Sequence, residues 1–193
     1  MKWYLDFGHG GKDPGAIGST NLKESDTVLK IGMIIKETLE NAFEKVIITR
    51  ENDKYYSLEY RTKKANNENC DYFISIHLNS ATNSSAKGCE VWLYDENSKL
   101  KTLANNLCTN LSSKLNTPNR GVKYSKKLAV LKNTTMPALL IEVDFISNSE
   151  VENNLRDNNY LKDIVDRTSL TLLGYLYKTI RYDGTFLLIY IFG

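Results

Sequence analysis

The sequence predicts a single α/β domain with a mostly parallel sheet and helices on both faces. Short apolar runs alternate with longer stretches in which apolar residues recur at helical spacing, a pattern typical of strands joined by helices. The 193 residues suit one domain with one sizeable core, and a content of 41% hydrophobic and 25% charged residues is ordinary for a globular protein.

The first half of the chain contains three predicted strands and two predicted helices. The strands are KWYLDF at residues 2–7, VIITR at 46–50 and DYFISIHLN at 71–79, and the helices cover residues 24–43 and about 57–67. The third strand is apolar almost throughout, as expected of a central strand that is covered on both faces.

The second half continues the alternation. CEVWLYD at residues 89–95 is a predicted strand, followed by a helix over about 97–115. Two further strands, KLAVLKN at 127–133 and ALLIEVDFI at 138–146, precede a final amphipathic helix over about 158–180.

We expect this domain to comprise residues 1–181, with an apolar tail of unknown role at residues 182–193. The tail is too short for a transmembrane helix, so no membrane span is expected. The N-terminal MKWYLDFGHGG lacks the separate apolar region and cleavage site of a signal peptide. We therefore expect synthesis in the cytoplasm, with release at lysis or export by another route left open.

Charge and cysteine content exclude several classes of protein. A formal net charge of +2 is too small to indicate a nucleic-acid partner. The three cysteines, Cys70, Cys89 and Cys108, are odd in number and contain no CxxC pair. This pattern argues against a disulfide framework or a cysteine zinc site. It favours cysteines that act as small, buried, apolar side chains.

The two histidines of the chain, His9 and His77, each follow an apolar run of a predicted strand. Imidazoles at the carboxyl ends of neighbouring strands point into the crevice where open α/β sheets hold ligands, at a distance suited to sharing a metal. The alternative is that they are two unrelated polar loop residues.

Carboxylates complete this prediction. Glu142 lies in the middle of an apolar strand, where burial raises the pKa of a carboxyl group toward the range of a general base. A catalytic zinc usually has three protein ligands, and the candidate nearest in sequence for the third is Glu24, with Glu90 and Asp26 as competitors. The alternative for Glu24 is that an acidic residue in a first helical turn only complements the helix dipole. The loop GHGGKDPGA lacks the spacing of a phosphate-binding loop, and no GxSxG motif is present.

Several motifs in order now define a family resemblance. They are GHGGKDPGA, Glu24, TREND, LEYRTKKAN, ISIHLNS and the long segment from RGVKY to FISNSE. From about residue 2 to residue 180, the sequence resembles the zinc-dependent N-acetylmuramoyl-L-alanine amidases of bacterial autolysins and phage endolysins.

The resemblance implies a twisted six-stranded sheet and one catalytic zinc ion, with His9, Glu24 and His77 as its ligands. Glu142 would be the catalytic glutamate. The implied reaction hydrolyses the amide between the lactyl group of muramic acid and L-alanine in peptidoglycan, and we expect the protein to be a monomer. Two alternatives stay open: a zinc peptidase that cuts within the peptide stem, and a cell-wall-binding module without turnover.

Other polar residues fall within the matched motifs. Asn79 and Arg61 are candidates for substrate binding, although a turn or capping role for Asn79 and a structural ion pair for Arg61 are favoured. A turn or capping role is likewise favoured for Asn148, and a structural ion pair for Arg50. Asp144 stands where such enzymes often have a small residue, and it either adds negative charge to the site or faces away from it.

Overall fold

The computed structural model describes residues 1–176, which form six strands and six helices. No helix within these residues is long and apolar enough to cross a membrane. In chain order the elements are β1 (Lys2–Phe7), α1 (Glu24–Asn41), β2 (Lys45–Ile48), α2 (Leu58–Asn67), β3 (Tyr72–Asn79), β4 (Cys89–Leu93), α3 (Lys101–Leu115), β5 (Asn119–Tyr124), α4 (Ala129–Lys132), β6 (Ala138–Phe145), α5 (Ser149–Asn154) and α6 (Asn158–Leu176).

The strands form one sheet in the order β2-β1-β3-β6-β4-β5. Strands β2, β1, β3 and β6 are parallel, whereas β4 runs antiparallel to β6 and parallel to β5. The predicted fold class, with a mostly parallel six-stranded sheet, is confirmed. At one end of the sheet the carboxyl ends of β1, β3 and β6 meet the start of β4, and this end is where open α/β sheets bind ligands.

Helices cover both faces of the sheet, as predicted. The larger core packs α1, α3 and α6 on one face, with Ile31, Leu107 and Leu172 fully buried. The smaller core lies on the other face, where Phe73 of β3 packs with Leu131 of α4. The continuous apolar character of β3 therefore results from burial on both of its faces.

One predicted strand is wrong. Residues 127–133 contain α4 instead, and its neighbouring apolar residues Val130 and Leu131 are both buried in the smaller core. The fifth strand is β5, whose sequence NRGVKY carries little apolar signal because the strand lies half-exposed at the edge of the sheet. Helix α5 was not predicted, and residues 177–193, including the predicted tail, lie outside the described residues.

Candidate metal centre

Three side chains predicted as metal ligands lie together at the carboxyl end of the parallel strands. His9 follows β1, His77 lies in β3, and Glu24 is the first residue of α1. One ligand atom from each residue lies within 4.8 Å of the others. Oε1 of Glu24 lies 2.9 Å from Nδ1 of His77 and 3.2 Å from Nε2 of His9. Two imidazoles and a buried carboxylate are a donor set that suits a zinc ion.

Glycine residues allow this close approach. A Cβ atom at Gly8 would lie 2.3 Å from Cε1 of His77, so a larger residue there would displace the imidazole. Gly15 has a φ of +68° and a Cβ there would lie 2.6 Å from Oε2 of Glu24. His9 itself has a φ of 61°, in the left-handed region that residues other than glycine seldom adopt. The absence of side chains at Gly8 and Gly15 therefore lets the loop backbone lie close to His77 and Glu24.

The carboxylate of Glu24 is fixed by the backbone as well as by the histidines. Its oxygens accept hydrogen bonds from the amides of Ala16 at 2.9 Å and Leu78 at 3.0 Å. Burial opposes ionisation of Glu24, but hydrogen bonds to His77 and His9 lower its pKa far below the usual value. Glu24 is therefore an anion that attracts positive charge to the space between the two imidazoles.

Asp13 orients the imidazole of His9, and sequence reasoning did not select it. Its Oδ2 lies 2.9 Å from Nδ1 of His9, which directs Nε2 of His9 toward Glu24. Burial lowers the pKa of His9, but the hydrogen bonds with Glu24 and Asp13 raise it to about 9. A carboxylate behind a ligating histidine fixes its tautomer and orientation. The available signal was an acidic residue four positions after His9 in the same loop.

Glu142 lies beside this group. It is the register partner of His77 on the adjacent strand, and its Oε2 is buried without a hydrogen-bond partner among the described residues. Burial raises the pKa of Glu142 to about 7, with the negative charges of Glu24 and Glu90 acting in the same direction and His77 against it. The carboxyl group of Glu142 can therefore both accept and release a proton near neutral pH.

The competing ligands predicted from the sequence are not part of the group. Glu90 is buried, and its Oε2 accepts a hydrogen bond from Nε of Arg120 at 2.8 Å. Asp26 is exposed in the first turn of α1, where an acidic residue complements the helix dipole.

Two buried arginines hold the loop that carries His9. Arg61 donates to Oδ1 of Asp6 at 2.7 Å and to the carbonyl oxygen of His9 at 2.8 Å. Arg50 donates to the carbonyl oxygen of Gly8 at 2.9 Å. The side chain of Arg61 is only 3% exposed, so these contacts support the structural interpretation for both residues. Substrate binding by Arg61 stays a prediction.

The remaining motif residues have defined partners. Asn148 caps α5 by accepting hydrogen bonds from the amides of Glu150 and Val151. Asp144 is fully buried, and its Oδ1 accepts from the amides of Gly88 and Phe145, which gives it a structural role.

Asn79 donates to Oε1 of Glu90 at 2.9 Å. Its side chain is partly exposed at the end of β3, so a substrate can reach it. Substrate binding by Asn79 also stays a prediction.

Glu152 fixes the segment that leads into Glu24, and no periodic pattern in the sequence indicates this role. This fully buried carboxylate accepts hydrogen bonds from Oγ of Ser19 at 2.8 Å, Oγ1 of Thr20 at 2.6 Å and the amide of Leu22 at 3.2 Å. Burial opposes its ionisation, but the hydrogen bonds from Thr20 and Ser19 lower the pKa of Glu152 to about 2. Helix α5 thereby connects the strand of Glu142 to the loop of Glu24.

One surface cavity lies at the far end of the sheet from these residues. A cavity of about 490 Å³ is lined by residues such as Tyr94, Leu131 and Ala138, at the end of the sheet where β6 begins. The candidate metal-binding group and Glu142 lie toward the opposite end, near the carboxyl ends of the parallel strands. This cavity is therefore not part of the candidate centre.

The fold and this group of residues define an α/β protein with a candidate metal centre at the end of its parallel strands. Residues 4–172 match the family described as N-acetylmuramoyl-L-alanine amidase. The chain belongs to this family.

Relatives of known name agree with this assignment. The chain is 36% identical over 171 residues to an endolysin of Bacillus phage SPP1, covering 84% of this chain and 61% of the phage protein. It is 34% identical over 167 residues to a sporulation-specific N-acetylmuramoyl-L-alanine amidase of Bacillus subtilis, covering 85% of this chain and 64% of that protein. The chain thus spans somewhat less than two thirds of the length of these two relatives.

Solved structures show the same architecture. An N-acetylmuramoyl-L-alanine amidase from Clostridium difficile superimposes with a TM-score of 0.86 at 30% identity, covering 93% of this chain and 98% of that one. The catalytic domain of the amidase CwlV from Bacillus (Paenibacillus) polymyxa gives a TM-score of 0.84 at 31% identity, covering 91% and 97%.

Proposed function

We propose that this protein is a zinc-dependent N-acetylmuramoyl-L-alanine amidase that acts on the peptidoglycan of the cell wall. The observation that carries the proposal is the position of Glu142 beside His77 in the group that also contains His9 and Glu24. In this proposal residues 1–181 form the catalytic domain, and cleavage occurs between the lactyl group of N-acetylmuramic acid and L-alanine of the stem peptide.

The donor set fits a catalytic zinc ion. His9, Glu24 and His77 would hold it, which leaves a position for water or substrate. A zinc ion bound there polarises a carbonyl oxygen and makes a water molecule acidic at neutral pH. Asp13 and the amides that bind Glu24 keep these ligands oriented without the metal, so little reorganisation is needed on binding.

Glu142 supplies the proton transfers. Its ionised carboxylate accepts a proton from the water that attacks the scissile carbonyl carbon. The resulting acid then donates this proton to the nitrogen of the departing alanine, because an amine leaves more readily than an amide anion. A pKa of about 7 suits both steps, since the group changes protonation state with little cost near neutral pH.

The test is to identify the termini that appear when the zinc-loaded protein acts on purified peptidoglycan. We expect new L-alanine amino termini on released stem peptides and no new reducing sugar ends, measured by end-group labelling and mass spectrometry. New termini inside the stem would instead identify a peptidase. Bound zinc without any product, on walls of several chemotypes, would favour a binding module.

A variant separates the enzyme from a contaminating activity. Glu142→Gln keeps the size of the side chain and removes its ability to accept a proton, so the new alanine termini should disappear. Zinc content of the variant, measured by inductively coupled plasma mass spectrometry, should stay at one ion per chain.

A further inference from the structure

Arg120 presents unused hydrogen-bond donors at the rim of the candidate site. It lies on the edge strand β5, and its Nε donates to Oε2 of Glu90 at 2.8 Å. The guanidinium carbon lies 4.8 Å from the ring centroid of Phe145, and the side chain is 41% exposed. Within the described residues, the terminal nitrogens Nη1 and Nη2 make no hydrogen bond. The four N–H groups on these two nitrogens therefore have no partner among the described residues.

Glu90 fixes the orientation of this guanidinium. Its own carboxylate is 5% exposed, and its Oε1 accepts hydrogen bonds from Nδ2 of Asn79 at 2.9 Å and Nε1 of Trp92 at 3.1 Å. The aromatic ring of Phe145 lies against the guanidinium. Arg120 is thus held by groups that are themselves fixed, which reduces the entropy lost when a ligand binds.

Glu90 connects the guanidinium to the proposed proton-transfer group. Glu90 on β4 is the register partner of Glu142 on β6, and directly opposed residues of antiparallel strands lie on the same face. The stem of Arg120 crosses Gly88, where a Cβ atom would lie 2.7 Å from its Cγ. A larger residue at Gly88 would therefore push the guanidinium away from this position.

The charge of the site calls for a cation at this place. Glu24, Glu90 and Glu142 bring three carboxyl groups to this end of the sheet. Arg120 pairs with Glu90, and its guanidinium is the positive charge that these contacts place on the side of Glu142 away from His9. An arginine fork matches a carboxylate with two parallel hydrogen bonds, which a lysine ammonium does not provide.

We propose that Arg120 binds the free α-carboxylate of the second residue of the stem peptide. This inference rests on the proposed amidase function, and it names a feature of the substrate. In a peptidoglycan stem that residue is D-glutamate linked through its γ-carboxyl group, so its α-carboxylate is the first negative charge after the scissile bond. Walls in which this carboxylate is amidated lack the charge, and the arginine then distinguishes the two kinds of wall.

Three synthetic substrates test the proposal. They are muramoyl-L-alanyl-D-isoglutamate and the matching D-isoglutamine compound, each with its γ-carboxyl group blocked as the methylamide so that the two differ only at the α-carboxyl group, and the D-isoglutamine compound extended through its γ-carboxyl group by L-lysine with a free terminal carboxylate. The ratio of kcat/KM between the first two should favour the free carboxylate by about 10-fold to 100-fold, the range of a charge-assisted hydrogen bond. Arg120→Gln should bring this ratio close to one, and Arg120→Lys should give an intermediate ratio.

Lys127→Gln is the matched control, since it removes one exposed positive charge shortly after β5. This variant should keep the ratio of the wild-type protein. A wild-type protein that cleaves both dipeptide compounds equally, or an Arg120→Gln variant with an unchanged ratio, would overturn the inference while leaving the amidase function intact. A strong preference for the lysine-extended compound would also overturn it, because the recognised carboxylate would then belong to a later residue.

Equilibrium binding separates this inference from failure of the proposed function. If no compound is cleaved, the affinity of L-alanyl-D-isoglutamate, measured by NMR titration, still reports on Arg120. At least tenfold weaker binding to Arg120→Gln than to wild type supports the inference, and equal affinity refutes it. Circular dichroism of both proteins checks that the variant is folded.

Discussion

Glu142 and His77 are register partners on the adjacent parallel strands β6 and β3. This relationship puts the proposed proton acceptor and a candidate metal ligand on the same face of the sheet, separated by one interstrand spacing. It depends on backbone pairing between two neighbouring strands in the centre of the sheet. The strand register therefore determines the relative position of these two groups.

The first prediction concerns Glu142. Glu142→Gln should lower kcat by about 10²-fold to 10⁴-fold, the usual contribution of a general acid or base. The melting temperature should not fall, because the substitution keeps the size of the side chain and removes a buried ionisable group whose ionisation burial opposes. Hydrolysis rates and thermal melts check the two parts. A variant with wild-type turnover would exclude Glu142 as the proton acceptor.

The second prediction concerns the metal ligands. Glu24→Gln removes the buried negative charge between the two histidines, and we expect the bound zinc to fall well below one ion per chain after dialysis. Asp26→Asn is the matched control, because Asp26 is exposed two positions later in the same helical turn. Its zinc content should equal that of the wild type. Equal loss from both variants would mean that overall charge, and not ligation, retains the metal.

A third prediction concerns the buried ion pair beneath the His9 loop. Arg61→Ala leaves Asp6 buried without its cation, so the free energy of unfolding should fall by about 3–5 kcal/mol. Lys63→Ala, two residues later on the same helix, breaks an exposed pair with Glu59 and should change the free energy of unfolding far less than Arg61→Ala does. Urea unfolding measures both. Similar losses from the two variants would contradict the structural role of Arg61.

The fourth prediction concerns acid stability. Folding lowers the pKa of Glu152 from 4.5 to about 2, so its ionised form stabilises the folded protein above pH 4.5 and this contribution is lost as the pH falls toward 2. The difference in the free energy of unfolding between wild type and Glu152→Gln should therefore shrink across this interval.

Glu150→Gln provides the comparison for Glu152, because Glu150 lies on the same helix but is exposed. Its difference from wild type should be small over the same pH interval. A difference for Glu152→Gln that stays constant from pH 5 to pH 2 would show that its hydrogen bonds do not depend on ionisation.

The sequence was sufficient for the parts of the fold that are buried on both faces. Strands β1, β3 and β6 are strongly apolar, and the polar residues that interrupt or follow them, His9, His77 and Glu142, were visible for that reason. Strand β5 was missed because an edge strand needs little apolar character. A strand was predicted instead at residues 127–133, which contain α4. This helix has only four residues, so its apolar side chains cannot show helical spacing.

The supporting residues of the site were harder to predict. Asp13, Glu152 and Arg120 act through contacts between segments that are distant in sequence or through the path of a loop. Glu152, for example, bonds to Thr20 across 132 positions of the chain. Periodicity reports whether a side chain faces the core, but it does not report which loop that side chain will meet. Such partners emerge only when the chain is folded.

The antiparallel direction of β4 has a consequence for how this domain can vary. Because β4 starts at the same end of the sheet at which β3 finishes, the connection over residues 80–88 turns back directly beside the candidate site and crosses no helix. It is largely exposed, and lengthening a flexible loop twofold costs only about 0.6 kcal/mol of closure entropy. Insertions at this connection would extend the surface beside the candidate site while leaving strands β3 and β6 undisturbed.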